Sequence, residues 1–354
     1  MMKDILLVLH NRCPQDRGMP ARHRLLATAV AVSWGLNFIA IDASLGQFPP
    51  FFLVALRFVV LAIPTVLLVP RPRVETKWLI GYGLGFGTLQ FLFLYWGLAA
   101  GMPVGLASLV LQASAPFTVI LGAVLLRDRL RPRAAAGVLL ACAGLALVGW
   151  QRAEGPAALA PFLLVLLGAF SWAVGNLCNA RAKAPNPLHF TLWMSVVPPV
   201  PMLALALAVE GPERIGAALT GWDRPTMIPA LLGLAYTVLF GTIAGSGAWS
   251  WLMTRHPAGI VAPFSMLVPV VGMSAAYALL GETVSVAELL GGAAVVVGVL
   301  IATAGRGDRP PRGRPAQPWT THENRAGMSP DVEISADVSG RNPVPEPDVS
   351  PTGS

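Results

Sequence analysis

The reading of the fold turns on residues 51–69, FFLVALRFVVLAIPTVLLV, nineteen residues whose single charge is Arg57. A helix of about 20 apolar residues spans the ~30 Å hydrocarbon core of a bilayer, so this run is long enough to cross one. It lacks the polar/apolar alternation that a lipid-facing barrel strand requires. The run Leu289–Ala304 has the same character. Composition points the same way: only 12% of the 354 residues are charged and 55% are apolar, against about 25% charge in an average soluble domain. The mean hydropathy is +0.63.

Working outward from residues 51–69, apolar runs between charged or Pro/Gly breaks predict ten helices. They cover 25–43, 50–69, 78–98, 103–125, 134–150, 158–179, 187–208, 228–251, 257–280 and 287–304. The expected fold class is therefore an all-α integral membrane protein. Lys and Arg sort unequally between its loops. With the N-terminus placed in the cytoplasm, the inner segments hold fifteen, including Arg71, Arg73, Lys77 and the cluster Arg127, Arg129, Arg131 and Arg133, while the outer loops hold Arg152, Arg214 and Arg224. The positive-inside rule then puts both termini in the cytoplasm of a multi-pass cell-membrane protein. It also accounts for the net charge of +7 without a nucleic-acid partner; lipid is the expected macroscopic neighbour. Cys142 and Cys178 read as small apolar residues within spans, and with Cys13 they form no metal or redox spacing. Residues 1–24 read as a cytoplasmic segment with Met19 as the expected start, and residues 305–354, rich in Pro, Gly, Arg, Asp and Ser, as a disordered cytoplasmic tail.

The two halves repeat. Phe86-Gly87-Thr88 recurs as Phe240-Gly241-Thr242, and Pro103-Val104-Gly105-Leu106 as Pro257-Ala258-Gly259-Ile260, all at an offset of 154. Asp128 answers to Glu282, Gly137 to Gly291 and Gly144 to Gly298 at the same offset. Ser33-Trp34-Gly35 resembles Ser171-Trp172-Ala173 at 138, the difference falling in a longer outer loop near 209–227. The halves are residues 25–150 and 151–304. Five spans per half is an odd number, so the second half is expected to enter the membrane from the opposite side. Two inverted five-helix repeats are a pattern of secondary transporters, which open a midplane site to either side in turn.

Trp34-Gly35-Leu36-Asn37-Phe38, Leu56-Arg57-Phe58 and the run Gly101–Gln112 carry a family resemblance, as do Phe170–Asn176, Val261-Ala262-Pro263 and Leu267–Gly272. Over residues 24–304 the chain resembles the EamA family of drug/metabolite transporters, and within it the branch that exports cysteine and O-acetylserine. The resemblance implies a secondary exporter of small metabolites, and the uncharged polar groups of the spans suit a zwitterionic amino acid. Asp128 stands where the family usually has Glu, and the basic tail lies outside the pattern.

Polar groups inside apolar spans are the candidates for that site, because uncompensated polar groups are costly in lipid. They are Trp34 and Asn37, Arg57, Gln90, Gln112, and Trp172 with Asn176; Ser33, Ser108, Tyr95, Asn179 and Ser265 accompany them. Two readings stand for the amides, a substrate site or hydrogen-bonded glue between helices. Arg57 likewise either snorkels to the surface or faces the cavity and attracts a substrate carboxylate, with Asp42 as a candidate ion partner. The run Gly81–Gly87 does not match a phosphate-binding loop and reads as helix-packing glycine. The histidines form no metal or catalytic set and no nucleotide motif occurs, so neither cofactor nor enzymatic activity is expected. No acidic residue lies deep in a span. An aromatic fraction of 8% argues against a broad drug exporter, the alternative reading, and a homodimer stays open.

Overall fold

The computed structural model describes residues 19–125, 131–153 and 156–303. The expectations attached to residues 1–18, to Asp128 with its flanking arginines, and to the C-terminal tail lie outside these. Among the described residues every regular element is helical. Ten helices have the length and apolarity to cross a membrane: α1 (Ala21–Leu45), α2 (Pro50–Leu68), α3 (Thr76–Ala99), α4 (Val104–Leu125), α5 (Pro132–Gln151), α6 (Leu159–Ala182), α7 (Pro187–Val209), α8 (Met227–Arg255), α9 (Ala262–Leu280) and α10 (Val286–Thr303). The chain is a multi-pass membrane protein.

The packing pairs exchange between the halves. α3 lies along α6 as α8 lies along α1, and α4 meets α6 as α9 meets α1, while α2 pairs with α7, α4 with α9 and α5 with α10. Swapping each helix for its counterpart five places along returns the same pairs. The α5–α10 crossing shows the cause in detail. A methyl group on Gly137 would fall 2.5 Å from the Gly298 carbonyl oxygen, and one on Gly144 would fall 2.5 Å from that of Gly291. Only hydrogen fits there, so the two backbones touch, as small residues permit between membrane helices.

Both halves carry the same distortion. The Phe-Gly-Thr sequences sit in π-helical segments, Gly83–Leu89 of α3 and Thr237–Ala244 of α8. Thr88 Oγ1 donates to the Gly83 carbonyl at 3.1 Å and Thr242 Oγ1 to the Thr237 carbonyl at 3.0 Å. Each hydroxyl thereby satisfies a carbonyl five residues back, the register of the widened turn. α4 and α9 in turn tighten to 3-10 geometry at Leu111–Ala113 and Ala262–Met266.

Three features depart from the sequence reading. α7 is broken between Met194 and Pro199, because Pro198 and Pro199 have no N–H to continue the ladder. The glycines of the 81–87 run receive this break: methyl groups on Gly83 and Gly87 would collide with Val197 and Met194, and one on Gly85 with the Gly175 backbone. The loop between α7 and α8 holds a further helix, Pro212–Thr220, tied down by Gln47, whose amide nitrogen donates to the Ala218 carbonyl at 2.8 Å. Finally, acidic residues from other helix ends cap the starts of α2 and α4. Glu210 accepts from the backbone N–H groups of Phe51 and Phe52 at the start of α2 (2.7 and 2.9 Å), and Glu282 from those of Val104 and Gly105 at the start of α4 (2.6 and 2.9 Å). A carboxylate at a helix N-terminus satisfies orphan donors and meets the positive end of the dipole.

Candidate functional site

Arg57 projects from the first half of α2 into protein and is only 4% exposed, which excludes snorkelling. Its Nη1 donates to the Tyr95 hydroxyl of α3 at 3.0 Å and its Nη2 to Thr242 Oγ1 of α8 at 2.9 Å. The guanidinium carbon lies 4.0 Å from the centroid of the Phe91 ring. Nε has no partner. The expected pairing with Asp42 does not form. Among the described residues Arg57 contacts hydroxyls and aromatic rings and no carboxylate, because α2 turns it toward α3 and α8.

The energetics of this arrangement come close to balance. Removing a charge from water costs several kcal/mol even after relaxation. Hydrogen bonds to a charged group return about 1.5–3 kcal/mol each, and a desolvated cation–π contact about 2. A guanidinium is a permanent cation in proteins with five N–H donors, of which the protein engages two.

The other groups arrange around α8 and α3. Asn37 of α1 is 9% exposed, and its amide oxygen occupies the space beside Gly241, 2.5 Å from where a methyl group would be, with no hydrogen-bond partner. Trp34, one turn away, donates from Nε1 to the Gly241 carbonyl at 2.9 Å and tilts against Trp249 at 5.1 Å. Thr237 Oγ1 and Gln90 Oε1 are also buried without partners. A row of rings leads from Arg57 to α6: Phe91 meets Phe86 at 6.0 Å, and Phe86 meets Trp172 at 5.6 Å. The remaining two candidates stand apart from this cluster. The Gln112 amide nitrogen lies 3.5 Å from the Ser265 carbonyl and 3.7 Å from the Met266 sulfur of α9, and Asn176 donates to Thr118 of α4 at 3.2 Å. Ser108 and Ser265 bond to carbonyls three residues back within their own helices, and Ser33 accepts from the Tyr236 hydroxyl.

Two contributors escaped sequence reasoning. Phe91 is one apolar residue among many, and only its place four residues before Tyr95, on one face, hints at a role. Thr242 lies in the Phe-Gly-Thr repeat, but nothing in a threonine announces that it receives a cation from another helix. The aromatic fraction gave a total and no places: Phe86, Phe91 and Trp172 gather in one row.

With this geometry in hand, the comparisons with known proteins agree among themselves. The family described as "EamA-like transporter family" matches residues 23–150 and 159–304. A protein of Salmonella typhimurium named "Probable amino-acid metabolite efflux pump" is 39% identical over 292 residues, covering 81% of this chain and 96% of its own. Its namesake in Escherichia coli K12 is 37% identical with the same coverage. An "Uncharacterized transporter" of Archaeoglobus fulgidus is 24% identical over 77% of this chain and 95% of its own. One solved crystal structure, 22% identical, aligns with a TM-score of 0.52 over 80% of this chain and 97% of its own, which shows a shared fold. The family match covers both halves, and two relatives above 30% identity are aligned nearly end to end: the chain belongs to the EamA-like transporter family.

Proposed function

We propose that the chain is a secondary exporter of small amino-acid metabolites, of the size of cysteine and O-acetylserine, and that Arg57 seats the substrate carboxylate. The buried guanidinium without a counter-anion carries this reading. Asn37 and Gln90 each hold a buried amide oxygen without a partner, which this reading assigns to the substrate. In this reading Trp34, Trp172, Gln112 and Asn176 also meet the substrate during its passage. The names of the relatives at 39% and 37% identity support the cargo class.

The mechanism is alternating access between two inverted halves. Five crossings per half and the exchange of packing pairs support it, since a pair of equivalent half-structures can trade conformations about a midplane site. The split of loop charge supports cytoplasmic termini in the cell membrane. Every residue of the proposed site comes from one chain, so a homodimer is not needed to complete it.

The test is efflux of labelled cysteine and O-acetylserine from preloaded cells expressing the wild type, Arg57→Ala or Arg57→Lys at matched levels. Wild-type efflux well above that of empty cells, lost at least about tenfold in Arg57→Ala, is expected, because truncating one side of a buried charge pair costs 2–5 kcal/mol. Efflux no faster than in empty cells would remove this cargo. The ring row from Phe91 to Trp172 favours one second reading, export of a broader set of apolar molecules. Efflux of an apolar aromatic dye that Arg57→Ala leaves intact would select it.

A further inference from the structure

We propose that the protein carries a lipid site where α2 begins and α3 and α7 finish, and that this site holds a zwitterionic headgroup, a phosphate joined to a primary ammonium. Nothing in it depends on the role of Arg57.

Phe51, Trp96, Ala100, Val209, Glu210 and Arg214 line one cavity of about 250 Å³. Small-molecule pockets usually enclose ~300–1,000 Å³, so this one suits a headgroup better than a larger ligand. Its floor is fixed. Glu210 accepts from the Phe51 and Phe52 N–H groups at 2.7 and 2.9 Å, and the Phe51 ring meets the Trp96 ring edge-on at 5.6 Å. Its rim is open: Trp96 is 44% and Val209 62% exposed, and Ala100 and Arg214 are exposed as well.

The depth of the cavity bears on what reaches it. Val209 is the last residue of α7, Trp96 lies in the last turn of α3, and Phe51 is in the first turn of α2. Helix ends are the level at which hydrocarbon gives way to headgroups, and tryptophan is enriched there. Exposed Trp96 and Val209 suit acyl chains, and the charged pair beside them suits what the chains are attached to.

Glu210 and Arg214 give the cavity one charge of each sign, near enough for Arg214 to draw on the Glu210 carboxyl. A guanidinium pairs with phosphate oxygens. An ionised carboxylate has about four lone-pair sites, and the two N–H groups of α2 occupy two of them. The others are open to an ammonium N–H. A glycerol headgroup carries the same phosphate but offers Glu210 only hydroxyls, so the preference for ethanolamine rests on Glu210.

The experiment is native mass spectrometry of the purified, delipidated full-length protein, titrated with phosphatidylethanolamine or phosphatidylglycerol of identical acyl chains. The first ethanolamine lipid is expected to bind about fivefold tighter than the first glycerol lipid, the scale of a solvent-accessible charge pair. Arg214→Gln, a change at an exposed position, is expected to weaken both about fivefold. Glu210→Gln should abolish the preference and leave the glycerol lipid bound much as in the wild type. Equal binding of the two lipids by the wild type would overturn the proposal, as would Arg214→Gln binding both as the wild type does. Millimolar cysteine or free phosphoethanolamine is expected to leave the bound lipid in place. Displacement by either would overturn the lipid assignment and give the cavity to a soluble zwitterion. The wild-type comparison and Arg214→Gln decide the question even if Glu210→Gln fails to fold.

Discussion

Arg57 depends on two hydroxyls that hold it in place without neutralising it. Tyr95 accepts from Nη1 and Thr242 from Nη2, so each fixes the plane of the guanidinium while leaving its charge available. Replacing Tyr95 by Phe removes one acceptor and leaves a buried cationic N–H unpaired, a loss of about 1.5–3 kcal/mol. The expected outcome for Tyr95→Phe is an apparent KM for efflux raised about tenfold or more, with a smaller change in maximal rate at equal expression. Thr242→Ser should retain most affinity, and Thr242→Val should resemble Tyr95→Phe. At this scale the sequence was informative about rarity and silent about direction. A lone arginine or tyrosine stands out from an apolar run because lipid penalises it. Which way a side chain points around the helix axis depends on neighbours hundreds of residues away, and the Asp42 pairing failed for that reason.

The elements are joined by missing atoms as much as by side chains. Gly137 meets the Gly298 carbonyl and the Ala302 amide so closely that a methyl group would sit 2.4 Å from that nitrogen, whereas a methyl group on Gly122 of α4 would meet nothing within 4 Å. Gly137→Ala is expected to destabilise by about 1–3 kcal/mol through overpacking. Gly122→Ala should be neutral or slightly stabilising, since Ala is the better helix former. Thermal unfolding in detergent distinguishes them. The glycine pairs were visible as a repeat at constant offset. The π segments were not, because no composition marks a turn widened to five residues, and the Pro198-Pro199 dipeptide was absorbed into a single predicted span.

The cap on α2 adds a pH dependence at the same scale. Burial pushes the Glu210 carboxyl up from its ordinary 4.5, against the pull of the Phe51 and Phe52 N–H groups and of Arg214. A raised value in the folded state means that folding favours the protonated form. The contribution is therefore full below the ordinary carboxylate range and is lost as pH rises through the folded value. Glu210→Gln, which keeps one of the two acceptor oxygens and sets an NH2 against the other N–H, is expected to flatten that pH dependence at a cost of about 1–3 kcal/mol at pH 7. Glu210→Ala strands two donors and should lower the melting temperature at every pH; melting curves from pH 4 to 8 test both.

For the whole molecule the decisive quantity is sidedness. Ala100 is exposed in the loop between α3 and α4 and Arg73 in the loop between α2 and α3. With Cys13, Cys142 and Cys178 replaced by Ser, a membrane-impermeant maleimide on intact cells should label Ala100→Cys and spare Arg73→Cys until the cells are lysed. The opposite pattern would reverse the proposed orientation. The expected sidedness rests on loop charge, which the insertion process itself reads, and it needs no knowledge of packing.

The break in α7 has no counterpart in α2, which carries Pro64 yet runs without interruption from Pro50 to Leu68. The two halves are alike in plan and differ at this break, so in the proposed cycle nothing in the structure makes the forward and return strokes equivalent. Such a carrier shows unequal half-saturation concentrations on its two faces. If its flux is uncoupled, detailed balance still requires the ratio of maximal rate to half-saturation to be the same in both directions, so the face that saturates early also tops out early.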